Sequence, residues 1–252
     1  MTEQQLHDYL VLTIFVAAGL AFIALFFVIA PYGRHQRNGW GFTLPARVGW
    51  IVMESPAVLL FVYVYSLGDH ATDAVPLLLL GLWQFHYVYR TFIYPFRLQS
   101  SAHRMPITII GMAIVFNCIN AYINARWISH FGTYSDTWLS SPAFVVGVAL
   151  FFVGWAINQH ADLVLFRLRG PGESGYKIPR GGLYDKISCP NYLGEMLEWT
   201  GWALAAWSAA GLAFAVFTIA NLLPRAIANH RWYRHEFSDY PSKRKAVIPY
   251  LL

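Results

Sequence analysis

Charge is what this sequence has least of. Only 12% of its 252 residues are Asp, Glu, Lys or Arg, where a soluble domain carries roughly 25%. That scarcity excludes a disordered chain, which depends on high charge and few aromatics, and argues against an ordinary water-soluble enzyme. Cysteine is nearly absent as well: Cys118 lies in an apolar run and Cys189 in a polar loop. No disulfide scaffold is possible with two such residues, and both are read as free thiols. Internal repeats and low-complexity segments are missing, as are a G-x-S-x-G elbow and the His boxes of a di-iron oxygenase. His230 and His235 stand five apart, on different faces of a helix.

What fills the chain instead is apolar and aromatic. The hydrophobic fraction is 57%, with 10 Trp, 15 Tyr and 18 Phe, and the mean hydropathy is +0.42. Aromatics in such numbers suit the two faces of a bilayer. A helix needs about 20 apolar residues to cross roughly 30 Å of hydrocarbon. Residues 10–30 meet that length without a charge and are too long for a signal-peptide core. Further runs follow at 48–67, 74–94, 107–125 and 142–165. The stretch 191–233 is too long for one helix and breaks near 208–211, giving a sixth and a seventh span. The expected fold class is therefore all-α: a single polytopic domain, 1–252, of seven transmembrane helices.

The basic residues support that count. Arg126 alone of the 18 Lys and Arg falls outside one alternating set of loops and the C-terminal end. By the positive-inside rule the N-terminus is expected outside and the C-terminus in the cytoplasm. The net charge of +5 then belongs to cytoplasmic loops facing anionic lipid headgroups, and no nucleic acid partner is implied. Without eukaryotic sorting signals, the expected location is a bacterial inner membrane. A monomer is expected, with lipid as its surroundings.

Ionisable groups inside spans are costly and mark function by default. Glu54 stands in the second span before Pro56. Gln84, Tyr87 and Thr91 share a face of the third span, and a buried Tyr hydroxyl needs a partner, for which Glu54 is a candidate. Tyr89, Arg90 and Tyr94 read as an interfacial belt. Asn158 and Asp162 stand four apart in span five. Asn191, Glu195 and Glu198 follow in span six, beside Gly194 and Gly201, which permit close helix approach. Asn221, Arg225 and Asn229 repeat every four residues in span seven. Three consecutive helices thus carry polar stripes at similar depth. One salt bridge, such as Arg225 with Glu195 or Glu198, would not account for all of them, and a polar ligand pocket open to the cytoplasm would. Asn117, Asn120 and Asn124 in span four read as interhelical hydrogen-bonding groups. The string Gly170-Pro171-Gly172-Glu173-Ser174-Gly175 spells G-x-G-x-x-G, but it follows a membrane helix and no strand, so it is no dinucleotide fingerprint. Glu195-x-x-Glu198 lacks a facing Glu-x-x-His helix, and no metal is expected.

Several segments together carry a resemblance. Leu44-Pro45-Ala46-Arg47 precedes Met53-Glu54-Ser55-Pro56. His86-Tyr87-Val88-Tyr89-Arg90-Thr91-Phe92 follows. Ile178-Pro179-Arg180-Gly181-Gly182-Leu183-Tyr184 leads to Pro190-Asn191-Tyr192-Leu193-Gly194-Glu195. Asp239-Tyr240-Pro241 and Arg244-Lys245-Ala246-Val247-Ile248-Pro249 close the chain. From about residue 30 onwards this pattern resembles the steroid 5-alpha-reductases. The resemblance implies a seven-helix enzyme that uses NADPH to reduce the 4,5 double bond of a 3-keto-4-ene steroid. It implies that Glu54 and Tyr87 bind the 3-keto oxygen, and that Asn158, Asp162, Arg169, Tyr176, Asn191, Glu195, Arg225, Asn229 and Tyr233 line the cofactor site. Met53 stands where mammalian members usually have Gln, as in plant members, and Asn229 where they have His.

The chemistry suits these residue types. Hydride addition to an enone places negative charge on the carbonyl oxygen, and two hydrogen-bond donors in a dry site stabilise it. Tyr87 is one donor. Glu54 is the other only if it is protonated, or else it orients Tyr87 as an acceptor. Burial favours the neutral acid, and a Tyr and a neutral carboxylic acid act in this way in ketosteroid isomerase. Glu54 is therefore expected to be protonated when substrate is bound. The cationic set Arg169, Lys177, Arg180 and Arg225 suits a 2′-phosphate. The steroid would enter from lipid among spans one to four. An S-adenosylmethionine-dependent membrane methyltransferase would need a similar C-terminal pocket without the Glu54–Tyr87 pair. Another membrane enone or enoyl reductase would keep both. A seven-helix transporter or receptor would hold no nucleotide, and matched inverted halves are missing.

Overall fold

The computed structural model describes residues 1–28, 39–98, 104–168 and 175–252. Each apolar segment read from the sequence holds a helix: α1 (Glu3–Phe27), α2 (Ala46–Ser66), α3 (Ala74–Val88), a one-turn α4 (Tyr94–Arg97), α5 (Ile107–Arg126), α6 (Pro142–Arg167), α7 (Pro190–Ala206) and α8 (Ala209–Glu236). Five of these, α1, α2, α5, α6 and α8, are long and apolar enough to cross a membrane. At 15 and 17 residues, α3 and α7 are shorter. Large apolar side chains such as Leu12, Leu20, Ile23, Leu59, Met112 and Val146 stand exposed. A belt of that extent has no place on a water-soluble monomer and identifies an integral membrane protein.

Local sequence sets the helix ends. Thr2 and Gln5 form a reciprocal cap at the start of α1, and Ser141 caps α6 through the Phe144 amide. The break in the last apolar run falls at Trp207, whose φ of 44° and ψ of 51° place it in the left-handed region that ends a helix. Ser208 then caps α8 by accepting from the Gly211 amide at 2.8 Å.

Two further features depart from a purely helical reading. A two-stranded antiparallel ribbon pairs β1 (Thr43–Pro45) with β2 (Arg104–Pro106). Both strands end in a proline that opens a helix, and a residue before proline is pushed into extended backbone. Leu44 and Met105 are therefore extended, and they pair. Two π turns, Tyr89–Ile93 and Trp127–Phe131, continue α3 and α5.

The packing explains the lone Arg of the end that is otherwise without Lys or Arg. Arg126 donates from Nε and Nη2 to the two Glu3 carboxylate oxygens at 2.7 and 2.9 Å, and from Nη1 to the Leu67 carbonyl at 3.2 Å. That end holds the start of α1, the end of α2 and the end of α5 together. Nearby, Asp69 pairs with His130 and Asp73 with His70, both at 3.0 Å.

Helices α6 and α7 approach most closely, antiparallel, through two glycines on each. A Cβ on Gly154 would lie 2.3 Å from the Glu198 backbone nitrogen, and one on Gly201 would lie 2.4 Å from that of Phe151. The seven-residue spacing of Gly147/Gly154 and Gly194/Gly201 places both contacts on one seam. At the centre of the bundle Phe61, Trp83, Trp199, Trp202 and Phe214 form an aromatic core. Trp83 donates to the Ala57 carbonyl at 2.7 Å and Trp202 to Asn124 at 3.0 Å, so these two buried indole N–H groups are satisfied. The C-terminal tail docks on the segment before α7: Ser188 N donates to Lys245 O at 2.8 Å and Cys189 N to Ala246 O at 3.1 Å.

Candidate active site

One cavity of about 680 Å³ runs through the bundle. Its lining divides by chemistry. Apolar groups from α1, α5 and α8, among them Ala24, Ile109, Met112 and Phe217, cover one part. Polar groups from α6, α7 and α8 cover another: Asn158, Asp162, Asn191, Glu195, Asn221 and Arg225. Glu54 and Tyr87 belong to the same lining, contributed by α2 and α3.

Helix α2 delivers Glu54 and α5 orients it. Asn117 donates from Nδ2 to Glu54 Oε2 at 3.2 Å and to the Met53 carbonyl at 2.7 Å. This is the interhelical role expected of the span-four asparagines, and Asn117 lines the cavity as well. Farther along the stripe, Asn124 donates to the Asn120 side chain and accepts from Trp202.

Tyr87 is fixed by its ring. It packs 4.8 Å from Trp83 and 5.5 Å from Trp199, centroid to centroid, and is 4% exposed. Burial makes its hydroxyl a candidate partner for Glu54. Among the described residues the Glu54 carboxyl bonds Asn117 instead, and the two groups face a common space without a direct hydrogen bond. The shared face of Gln84, Tyr87 and Thr91 resolves into separate environments. Gln84 donates to the Val58 carbonyl at 3.3 Å, and the Thr91 hydroxyl is buried without a hydrogen-bond partner among the described residues.

The polar stripes of α6 and α7 meet as the spacing suggests. Asn158 donates to the Asn191 carbonyl at 3.0 Å, and Asn191 donates to Asp162 at 3.5 Å. On α8, Arg225 donates to Asn221 and to the Tyr192 hydroxyl, each at 3.3 Å. Asn229, one turn on, donates to the same hydroxyl at 3.4 Å and is buried. Among the described residues, Asn229, Tyr176 and Tyr233 stand outside the cavity lining: Tyr233 stacks on Tyr240 at 5.3 Å, and Tyr176 meets Trp232 edge-on at 5.0 Å. Arg180 lies on the surface 3.9 Å from Asp239. Arg169 and most of the Gly170–Gly175 string lie outside the described residues.

Arg90, Tyr94 and His86 are among the lining residues that the sequence pattern does not assign to the site. Arg90 and Tyr94, read as an interfacial belt, line the cavity, with the Arg90 guanidinium 4.6 Å above Trp50 and 4.5 Å above Tyr94. Their spacing from Tyr87, three and then seven residues, puts all three on one helical face. Part of this segment, Tyr89–Ile93, is a π turn. The third is His86, which lines the cavity while its Nδ1 lies 2.7 Å from Glu198 Oε1. Glu198, grouped with Glu195 on the sequence, is fully buried against His86, and Glu195 reaches the cavity.

Known proteins share this chain's sequence over nearly all of its length. A family model described as 3-oxo-5-alpha-steroid 4-dehydrogenase matches residues 103–252. A steroid 5-alpha-reductase of Gossypium hirsutum is 43% identical over 99% of this chain and 99% of its own. The 3-oxo-5-alpha-steroid 4-dehydrogenase 1 of Rattus norvegicus is 39% identical over 100% of this chain and 98% of its own. The Homo sapiens protein of the same name is 42% identical over 87% and 85%. With likeness this high across the helices that build the cavity, the chain belongs to the 3-oxo-5-alpha-steroid 4-dehydrogenase family, oxidoreductases acting on a carbon–carbon bond.

Proposed function

We propose that this protein reduces the 4,5 double bond of a 3-keto-4-ene steroid to the 5-alpha-3-ketosteroid within the membrane, with NADPH as the source of hydride. The observation that carries the reading is the convergence of Glu54 and Tyr87, from separate helices, on one cavity that is apolar on one side and polar on the other. A flat, greasy substrate suits the apolar part, and a few polar groups then fix its orientation.

The polar part fits a nicotinamide nucleotide. Asn158 and Asn191 offer amide donors and acceptors, Asp162 and Glu195 offer carboxylates, and Arg225 supplies a cation beside them. Bound there, the reduced cofactor supplies hydride to the beta carbon of the enone. The protein's own part is electrostatic. Tyr87 donates a hydrogen bond to the ketone oxygen as negative charge grows on it. Glu54, in its neutral-acid form with Asn117 holding Oε2, donates the second. With steroid and nucleotide filling the cavity and displacing its water, two such donors contribute far more than the same bonds in water.

Seven membrane-crossing helices, with the N-terminus outside and the C-terminus in the cytoplasm, complete the proposal. The segregation of basic residues supports it, and so does the Glu3–Arg126 pair, which neutralises the one Arg on the side otherwise without Lys or Arg. The steroid then enters from lipid and the nucleotide from the cytoplasm. We place the protein in a bacterial inner membrane as a monomer, on the sequence alone.

Purified protein given a 3-keto-4-ene steroid and NADPH should yield a product two mass units heavier, with oxidation of an equal amount of NADPH. A steroid recovered unchanged, with the protein folded and in detergent or lipid, overturns the proposal.

A further inference from the structure

Reduction of an enone needs a proton at the alpha carbon as well as hydride at the beta carbon, and neither Glu54 nor Tyr87 supplies it while both hold the oxygen. We propose that His86 is the acid that delivers this proton, held in place by Glu198. The inference rests on the ketone-reduction reading of the same cavity.

Four observations converge on His86. It precedes Tyr87 on α3 and lines the same cavity, with the two rings 5.0 Å apart. The alpha carbon of a ketone lies two bonds from its oxygen, so a group beside the oxygen's donor is placed to reach it. His86 Nδ1 is 2.7 Å from Glu198 Oε1, which leaves Nε2 as the ring nitrogen available to the cavity. Trp199 packs edge-on against the imidazole at 4.6 Å, so the ring is held from a second side. Glu198 is 0% exposed, and its Oε2 has no hydrogen-bond partner among the described residues. A fully buried carboxylate paired with a histidine in this way is an expensive arrangement. A purely structural role would be met more cheaply by an apolar pair. A carboxylate behind an imidazole fixes its tautomer and stabilises the imidazolium, as in the catalytic triads.

The step balances as follows. Once the beta carbon has accepted hydride, the carbonyl electrons rest on oxygen as an enolate. The enolate's electron pair forms the new C–H bond at the alpha carbon, and the Nε2–H bond of the His86 imidazolium breaks. The imidazole is left neutral and Glu198 keeps its charge. His86 regains a proton from water when the product leaves. Glu198 touches no substrate and is a positioning residue.

The reverse of this step needs neither hydride nor the double bond. In D₂O, without nucleotide, the wild-type protein should exchange the alpha hydrogens of the saturated 3-ketosteroid, read by mass spectrometry. His86→Gln should lower exchange about 100-fold, the scale of general acid–base catalysis, when the rate is divided by the amount of steroid-binding protein. Glu198→Gln keeps the side chain's shape and should lower exchange at least about tenfold with an unchanged steroid KM in reduction. Wild-type reduction without exchange, or full exchange by either variant, overturns the role of His86 and leaves the ketone reading standing. Neither reduction nor exchange by folded wild-type protein overturns both.

Discussion

Asn117 on α5 holds Glu54 on α2 across 63 residues of sequence, donating to Oε2 at 3.2 Å while its second bond ties it to the Met53 carbonyl at 2.7 Å. The asparagine therefore sets where the Glu54 carboxyl points. It is half of the arrangement that presents an acid to the cavity.

Removing that bond should misplace the acid without removing it. Asn117→Leu is expected to lower kcat about fivefold, the effect of one neutral hydrogen bond of about 1 kcal/mol, with the steroid still bound. Steady-state kinetics in detergent or nanodiscs checks this. An unchanged kcat would mean that Glu54 is positioned by something else.

The α6–α7 seam should tolerate no added methyl group. Gly154→Ala would put a Cβ 2.3 Å from the Glu198 backbone nitrogen, and overpacking of this kind costs about 1–3 kcal/mol. A lowered thermal midpoint is the expected reading. A Cβ on Gly81 would meet nothing within 4 Å among the described residues, so Gly81→Ala, on an exposed helix face, should leave the midpoint unchanged or raise it slightly.

Because the cavity's polar part should discriminate by charge, NADPH is expected to be used in preference to NADH. Arg225→Ala should raise the KM for NADPH about tenfold, in the range of a lost charge-assisted hydrogen bond, and affect NADH less. Equal use of both nucleotides by the wild-type chain would remove Arg225 from any contact with a 2′-phosphate.

The helices are legible because apolar run length and charge placement are local properties of a sequence. The end of α7 is legible too, since residues 191–233 cannot form one span. The polar stripes at Asn158/Asp162 and Asn191/Glu195 are readable from their spacing, which puts each pair on one face before any packing is known. What the sequence hides depends on contact between distant elements or on irregular backbone. The His86–Glu198 pair joins residues 112 apart. Arg90 and Tyr94 read as an interfacial belt because the residues around them are aromatic, and their place in the cavity lining is set by the packing of distant helices. The β1–β2 ribbon requires two loops to meet, and two X-Pro steps, Leu44-Pro45 and Met105-Pro106, are its one local signal. Asn229, Tyr176 and Tyr233 stand outside the cavity lining among the described residues, and their contacts with Tyr192, Trp232 and Tyr240 join elements that sequence spacing does not relate.

The most direct test of the account is the turnover number of Glu54→Gln and Tyr87→Phe with a 3-keto-4-ene steroid and NADPH. Each should lower kcat about 100-fold or more, the effect of losing one donor to a developing oxyanion, with the KM for NADPH little changed. Near-normal turnover in both variants would contradict the assignment of these two side chains to the ketone.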